Sequence, residues 1–227
     1  MNAVLKTLRW PSSDRDRKRQ ALWTADEVAE ATRGTASSAF QAAGVEMDSR
    51  DVRSGDLFFA LKGESLDGHL YVDKAFANGA AAAVVEKAIP QPHVLVEDTS
   101  SALEALARAA RKRAPARVVG VTGSVGKTGV KEAIFTSLER SSRGTAHRSV
   151  RSYNNHVGVP LSLSRMPARS TFGVFEMGMN HAGEILGLTA QVRPHVAVIT
   201  TIAPAHIENL GSEEAIADAK AEIFAGL

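Results

Sequence analysis

Between Val118 and Val130 the chain reads Val-Val-Gly-Val-Thr-Gly-Ser-Val-Gly-Lys-Thr-Gly-Val, a run with the means to hold a phosphate group. Val118 to Val121 has the composition of a buried strand. Gly123 to Gly126 is a turn that needs glycine freedom, and Lys127-Thr128 opens a helix whose apolar positions recur at Val130, Ile134 and Leu138. In such an arrangement the loop from Thr122 through Gly123, Ser124, Val125 and Gly126 offers backbone amides to an anion at the positive end of a helix. Lys127 then neutralises charge, and the Thr128 hydroxyl can ligate magnesium. One departure is visible. The general phosphate-loop pattern places a glycine where Val121 stands, and Gly120 comes one step early. The plainer alternative is an ordinary glycine turn leading into a helix.

Three more residues fall where they could join this chemistry. Phe172-Gly173-Val174-Phe175 is an apolar run that ends in Glu176, and the run from His195 to Ile202 is followed by Ala203-Pro204-Ala205-His206. Ligands of open parallel sheets collect at the carboxyl ends of the strands, so Glu176 and His206 both fall on the side of the phosphate loop. An acidic residue there is a natural magnesium ligand, directly or through water; the alternatives are an exposed strand end for Glu176 and a strand-capping histidine for His206. The third residue is Lys220. Ser212 can cap a helix, Glu213 and Glu214 suit its positive start, and Ile216, Ala219 and Ile223 form an apolar stripe on the side of Lys220. Burial disfavours an isolated ammonium there. Lys220 can snorkel to the edge, pair with an acid, or stay neutral and take up carbon dioxide as a metal-binding carbamate.

The elements that must position these groups follow from pattern. The chain has 227 residues, 44% of them hydrophobic and 23% charged, which suits two soluble domains. A net charge of +2 gives no global argument for nucleic acid or a membrane surface, and no apolar run approaches a membrane span. Without cysteine there is neither disulfide nor thiolate chemistry, which fits a cytoplasmic setting. Residues 1–22 read as a solvated tail with a mixed, mostly basic run from Asp14 to Arg19 and no secretory core behind it. Trp23-Thr24-Ala25-Asp26-Glu27-Val28 is a specified helix start: Thr24 caps, Glu27 closes a capping box, and Trp23 staples onto Val28. After a loop through Thr35 to Ala43, strands are expected at Val45–Arg50, Leu57–Leu61, Ala80–Val85 and Val94–Val96, with helices at Tyr71–Ala77 and Ser100–Lys112. Alternating strands and helices indicate a small α/β domain over 23–113. Arg111 to Ala116 marks the boundary, and a second α/β unit, mostly parallel and carrying the phosphate loop, occupies 114–227.

Over residues 23 to 227 the chain resembles the Mur ligase family, the ATP-dependent amide-bond-forming enzymes of peptidoglycan precursor synthesis. In the first domain the resemblance rests on Asp48-Ser49-Arg50, on Gly55 through Glu64, and on Asp67-Gly68-His69. In the second it rests on Thr122 through Thr128, Asn154-Asn155-His156-Val157-Gly158-Val159-Pro160, Glu176 through Ile185, and His206-Ile207-Glu208. The Asn-Asn loop and the Met-Gly-Met-Asn-His stretch are most similar to the branch that joins D-alanyl-D-alanine to UDP-N-acetylmuramoyl-tripeptide. The resemblance implies an amino-terminal UDP-binding domain followed by a Rossmann-like ATP-binding domain. It implies ATP and magnesium as cofactors, with Lys127 on the terminal phosphates. Thr128 and Glu176 would hold the metal, His206 would serve a second metal site, and Lys220 would be a carbamylated ligand. Asn154 and Asn155 would face the peptide near its reacting carboxylate, and Ser49, Arg50, Lys62 and Gly63 would hold the UDP moiety. The implied reaction activates the carboxylate as an acyl phosphate, which the D-alanyl-D-alanine amine then attacks. Gly129 departs from relatives that carry Ser or Thr after the Lys-Thr pair.

Family members extend well beyond the Lys220 helix, so the resemblance also implies an incomplete second domain, no third domain, and a fragment inactive on its own. Two other functions stay open at this stage. One is a different Mur-type ligase, related to folate or cyanophycin ligases. The other is a non-catalytic UDP-sugar-binding remnant.

Overall fold

The computed structural model describes residues 20–63, 66–204 and 207–227. The basic run 14–19, Glu64 and His206 therefore lie outside the described residues. The first lobe runs β1 (Trp23–Thr24), α1 (Ala25–Thr32), β2 (Thr35–Ala36), β3 (Gln41–Ala42), β4 (Gly44–Glu46), β5 (Asp56–Phe59), α2 (Val72–Ala77), β6 (Ala82–Val85), β7 (His93–Leu95) and α3 (Thr99–Arg113). Five of its strands form one sheet in the order β2-β7-β6-β5-β4, parallel except for β2. Leu57, Phe59, Ala82 and Val84 face one core and Phe58, Ala60, Ala83 and Val85 the other. A parallel sheet covered on both faces reads as a continuous apolar run, which is why β5 and β6 were legible.

The second lobe contains β8 (Arg117–Thr122), α4 (Lys127–Ser141), β9 (Ala146–Arg148), α5 (Gly158–Ser164), β10 (Phe172–Glu176), α6 (Glu184–Val192), β11 (Val196–Ile199), α7 (Ile207–Leu210) and α8 (Glu213–Ala221). Its sheet, ordered β11-β8-β10-β9, is wholly parallel. The mixed α/β class with mostly parallel sheets is as expected.

Local signals held where the chemistry was strong. Thr24 Oγ1 accepts from the Glu27 amide at 3.3 Å while Glu27 Oε2 accepts from the Thr24 amide at 2.8 Å, a complete capping box. Elsewhere the structure differs from expectation. The loop over Thr35–Ala43 contains β2 and β3, two-residue strands too short to leave a period. The strand expected to reach Arg50 stops at Glu46, because Asp48 Oδ1 accepts from the Arg50 amide at 2.9 Å and turns the chain. On α4 the expected face is only half-buried at Val130, Ile134 and Leu138, and the buried side chain is Lys131.

Helix α3 joins the lobes. Leu103 and Leu106 share a buried cluster with Leu161 of α5, and Ala107 shares the second lobe's core with Val159 and Leu163. Trp23 Nε1 donates to the Ser164 carbonyl at 2.8 Å, and Arg165 bonds the Val45 carbonyl and Glu46 Oε2, each at 2.6 Å. The first lobe's opening residues are tied in as well, with the Leu22 amide on the Ala42 carbonyl at 2.7 Å.

His147 of β9 is half-buried in the second lobe, where its Nε2 donates to the Ser162 carbonyl at 2.8 Å and its ring tilts against Phe175. Burial pushes the imidazole down from 6.5 to about 4. Between those values the unfolded chain binds a proton that the folded chain refuses. The stability tied to neutral His147 is therefore complete above pH 6.5 and drains as pH falls toward 4. Thermal unfolding should show a loss of about 2 kcal/mol across that window, and His147→Phe should flatten that part of the profile.

Candidate active site

The glycine loop between β8 and α4, the candidate phosphate loop, leaves the carboxyl end of β8 and is braced by the segment that follows β11. The Ser124 amide donates to the Thr201 carbonyl at 2.8 Å, and its hydroxyl lies 3.0 Å from the Ala203 carbonyl. Thr200 Oγ1 donates to the Val125 carbonyl at 2.6 Å. Gly123, with φ at 144°, packs so closely against Thr200 that a Cβ would run into the threonine hydroxyl. With Ser124 committed to the brace, the amides of Lys127, Thr128 and Gly129 in the first turn of α4 remain without an intrahelical acceptor. Lys127 Nζ folds back onto the Gly123 carbonyl at 2.7 Å.

Glu176 ends β10 beside this loop and is 1% exposed, so it is no solvent-facing strand terminus. Its Oε2 accepts from Thr128 Oγ1 at 2.9 Å, and its Oε1 accepts from Asn154 Nδ2 at 2.9 Å. Asn154 reaches it because residue 178 is glycine: a Cβ there would lie 2.9 Å from the Asn154 amide carbon. Met177 and Met179 on either side are buried, which gives the Met-Gly-Met run a packing reason. Asn155 does not bond Glu176; its Oδ1 accepts from the Gly158 amide at the start of α5 at 2.8 Å.

A cavity of about 240 Å³ in front of the loop is lined by Lys127, Asn154, Asn155, Asn180, Glu184 and Lys220, among others. Lys220 is 3% exposed and does not snorkel to the surface. Burial, with Lys127 nearby, pulls its ammonium below the ordinary lysine value. At the rim, burial pushes the Glu184 carboxyl up, but hydrogen bonds from the Asn180 amide and His181 outweigh it and leave the group below its usual range. Glu222 pins the end of this rim loop by accepting from the Gly183 and Leu186 amides at 2.7 and 2.9 Å.

In the first lobe, Ser49, Arg50 and Gly63 line a second cavity of about 530 Å³ together with Leu61, Leu66 and Tyr71. Lys62 is exposed and does not line it; its backbone forms an isolated antiparallel bridge with that of Asp67 at the neck of the loop. His69 locks that neck, its Nδ1 2.7 Å from Asp67 Oδ1 and its Nε2 accepting from the Glu86 amide at 2.9 Å. The side-chain hydrogen bond to Arg50, against a smaller effect of burial, holds the Asp48 carboxyl down at about 2. A third cavity of about 540 Å³ lies between the lobes, lined by Glu46, Asp51, Arg53, Arg151, Tyr153 and Arg165, among others. Sequence reading missed it, because its walls come from loops more than ninety residues apart.

The structure thus gathers Lys127, Thr128, Glu176, Asn154, Asn155 and Lys220 around one site. It sets Ser49, Arg50 and Gly63 around another. Among the described residues no group of three or more His, Asp or Glu is arranged to hold a metal, and no helix is long and apolar enough to cross a membrane.

Residues 121–227 match the Mur ligase middle domain, and residues 41–116 match the catalytic domain of the Mur ligase family. The chain is 41% identical over 213 residues to the UDP-N-acetylmuramoyl-tripeptide–D-alanyl-D-alanine ligase of Bacillus subtilis, covering 90% of this chain and 46% of that enzyme. It is 42% identical over 185 residues to the Escherichia coli enzyme of the same name, covering 81% and 40%. Among solved structures, MurF from Acinetobacter baumannii superposes with a TM-score of 0.76 at 36% identity, over 90% of this chain and 46% of that one. MurF from Thermotoga maritima in complex with ADP superposes with a TM-score of 0.66 at 36% identity, over 81% and 43%. The chain spans a little under half the length of the relatives it matches.

Proposed function

The chain belongs to the Mur ligase family, and from that premise we propose that it supplies the UDP-substrate lobe and the ATP-binding lobe of a ligase joining D-alanyl-D-alanine to UDP-N-acetylmuramoyl-tripeptide. The observation that carries this reading is the convergence of Lys127, Thr128, Glu176 and Asn154 at the mouth of a braced phosphate loop. The first-turn amides of α4 and Lys127 would take the terminal phosphates of ATP. Thr128 Oγ1 and the Glu176 carboxylate are hard oxygen donors 2.9 Å apart and fit magnesium. When bound, that ion would supply charge neutralisation at the phosphoryl oxygens. Lys220 would serve as a further ligand once carbamylated, and His206 as part of a second metal site.

In the proposed reaction a carboxylate oxygen of the tripeptide attacks the γ-phosphorus while the bond to ADP breaks. The amine nitrogen then attacks the acyl carbon, and phosphate leaves. Asn154 would orient the reacting carboxylate. Ser49, Arg50 and Gly63 would hold the UDP end in the 530 Å³ cavity, with Lys62 at the loop that closes it. The arginine-lined cavity between the lobes would carry the peptide between the two.

Calorimetric titration with ADP and magnesium, and thermal protection by UDP-N-acetylmuramoyl-tripeptide, test the reading in this chain. Lys127→Ala should weaken ADP binding by roughly tenfold, the worth of one charge-assisted contact, and leave protection by the UDP substrate unchanged. Equal ADP affinity in the variant, or no protection by the UDP-muramoyl tripeptide, would overturn it.

A further inference from the structure

Lys131 is the single fully buried side chain of α4, and neither the phosphate loop nor the substrate cavities account for it. It sits one helical turn beyond Thr128, facing the same carboxylate. Its Nζ donates to the Arg151 carbonyl at 2.8 Å and lies 3.7 Å from Glu176 Oε2, the oxygen that also accepts the Thr128 hydroxyl. A second carboxylate, Glu132 Oε1, lies 3.3 Å away, but it is half-exposed and shared with Arg148. The Lys131 and Glu176 side chains are 0% and 2% exposed, so water screens their attraction very little.

The consequence is a carboxylate with a resident counter-ion. A divalent cation approaching Glu176 Oε2 meets one acid, one neutral hydroxyl and a buried ammonium within a few ångströms. Removed from water, that ammonium repels a doubly charged ion at comparable distance about twice as strongly as it attracts the singly charged Glu176. Magnesium-like ions in any case bind through one or two carboxylates completed by substrate phosphates. Among the described residues no group of three or more acids or histidines is arranged to hold a metal on its own.

We propose that Lys131 makes the site refuse a free divalent cation and admit one only together with a nucleotide, whose phosphates supply the missing negative charge. Lys131 is then a specificity-determining residue for metal loading and touches neither metal nor nucleotide. The proposal rests on the assignment of Thr128 and Glu176 to the metal side of the site.

The test is manganese binding to the chain, followed by the paramagnetic signal of free Mn2+, with and without ADP. The wild-type chain should bind Mn2+ alone no tighter than about 1 mM and bind it far better with ADP present. Lys131→Met, shown to be folded by its thermal unfolding, should bind Mn2+ alone at least roughly tenfold tighter, since removing one buried charge at this range is worth that much. Lys131→Arg should behave as wild type, and Lys131→Met combined with Glu176→Gln should lose the gain. Micromolar Mn2+ binding by the wild-type chain without ADP would overturn the proposal, whatever the folding of the variants. So would a folded Lys131→Met with unchanged Mn2+ affinity. Failure of the wild-type chain to bind ADP with Mn2+ would instead remove the nucleotide reading itself, a result that the metal-alone titration does not produce.

Discussion

Gly123→Ala should leave the chain folded and lower its affinity for ADP by about a hundredfold or more. Two costs meet at this position. At φ of 144° an L-residue is strained, at about 1–2 kcal/mol. The added methyl would also run into the Thr200 hydroxyl and lie 3.1 Å from the Thr200 backbone nitrogen. Rotating Thr200 away does not relieve the clash cheaply, because its hydroxyl is the tie on the Val125 carbonyl at 2.6 Å. The loop must therefore move as a unit and carry the amides that face an anion with it. Lys127→Ala removes one contact from an intact cradle, whereas Gly123→Ala removes the cradle. The check is calorimetry with ADP on both variants beside their melting curves. An ADP affinity for Gly123→Ala within threefold of wild type would show that the loop does not bind phosphate through this geometry.

Trp23→Ala should be the most destabilising single change in the first lobe, by about 5 kcal/mol. The indole is 2% exposed and packs in the core with Val28 and Ala42, and its Nε1 spans to the Ser164 carbonyl of the other lobe. Truncating a buried tryptophan costs about 3–5 kcal/mol. To this is added the loss of Arg113, whose guanidinium lies 3.4 Å from the centre of the indole ring. Two of that arginine's nitrogens are buried without a hydrogen-bond partner, so the ring face and Glu27, 3.7 Å away, are what compensate its burial. Removing the ring leaves a desolvated cation with one distant acid. For a chain of this size the melting temperature should fall by roughly 10–15 °C. Trp23→Phe should recover most of the loss, missing the indole bond to Ser164. A drop of less than about 3 °C for Trp23→Ala would mean that Trp23 does not join the lobes as described.

The two variants bear on different levels of the same molecule. Gly123 was visible in the sequence because a phosphate loop is local: strand, turn and helix start lie within a dozen residues, and each needs a residue type that composition alone makes conspicuous. The Thr24–Glu27 box and the Ser212 cap were visible for the same reason. So were β5, β6, β8 and β10, whose apolar runs follow from burial on both faces of a parallel sheet. Two-residue strands and the short helix α5, where no period has room to develop, were not.

Residue types and local spacing thus determined that the chain is α/β, with a glycine loop set between a buried strand and a helix, and they supplied Glu176 and Lys220 as candidates to stand beside it. Tertiary structure decided what those residues meet. It buried Glu176 between Thr128 and Asn154, turned Lys220 into the cavity of Lys127, and kept Lys62 out of the cavity lined by Ser49 and Arg50. It also chose Lys131 over the apolar positions of α4 as the buried residue. The reason is that a lysine in a helix is indistinguishable in sequence from its solvated neighbours. The approach of β10 and of the Arg151 carbonyl, beside Glu132 on its own helix, gives its charge somewhere to go.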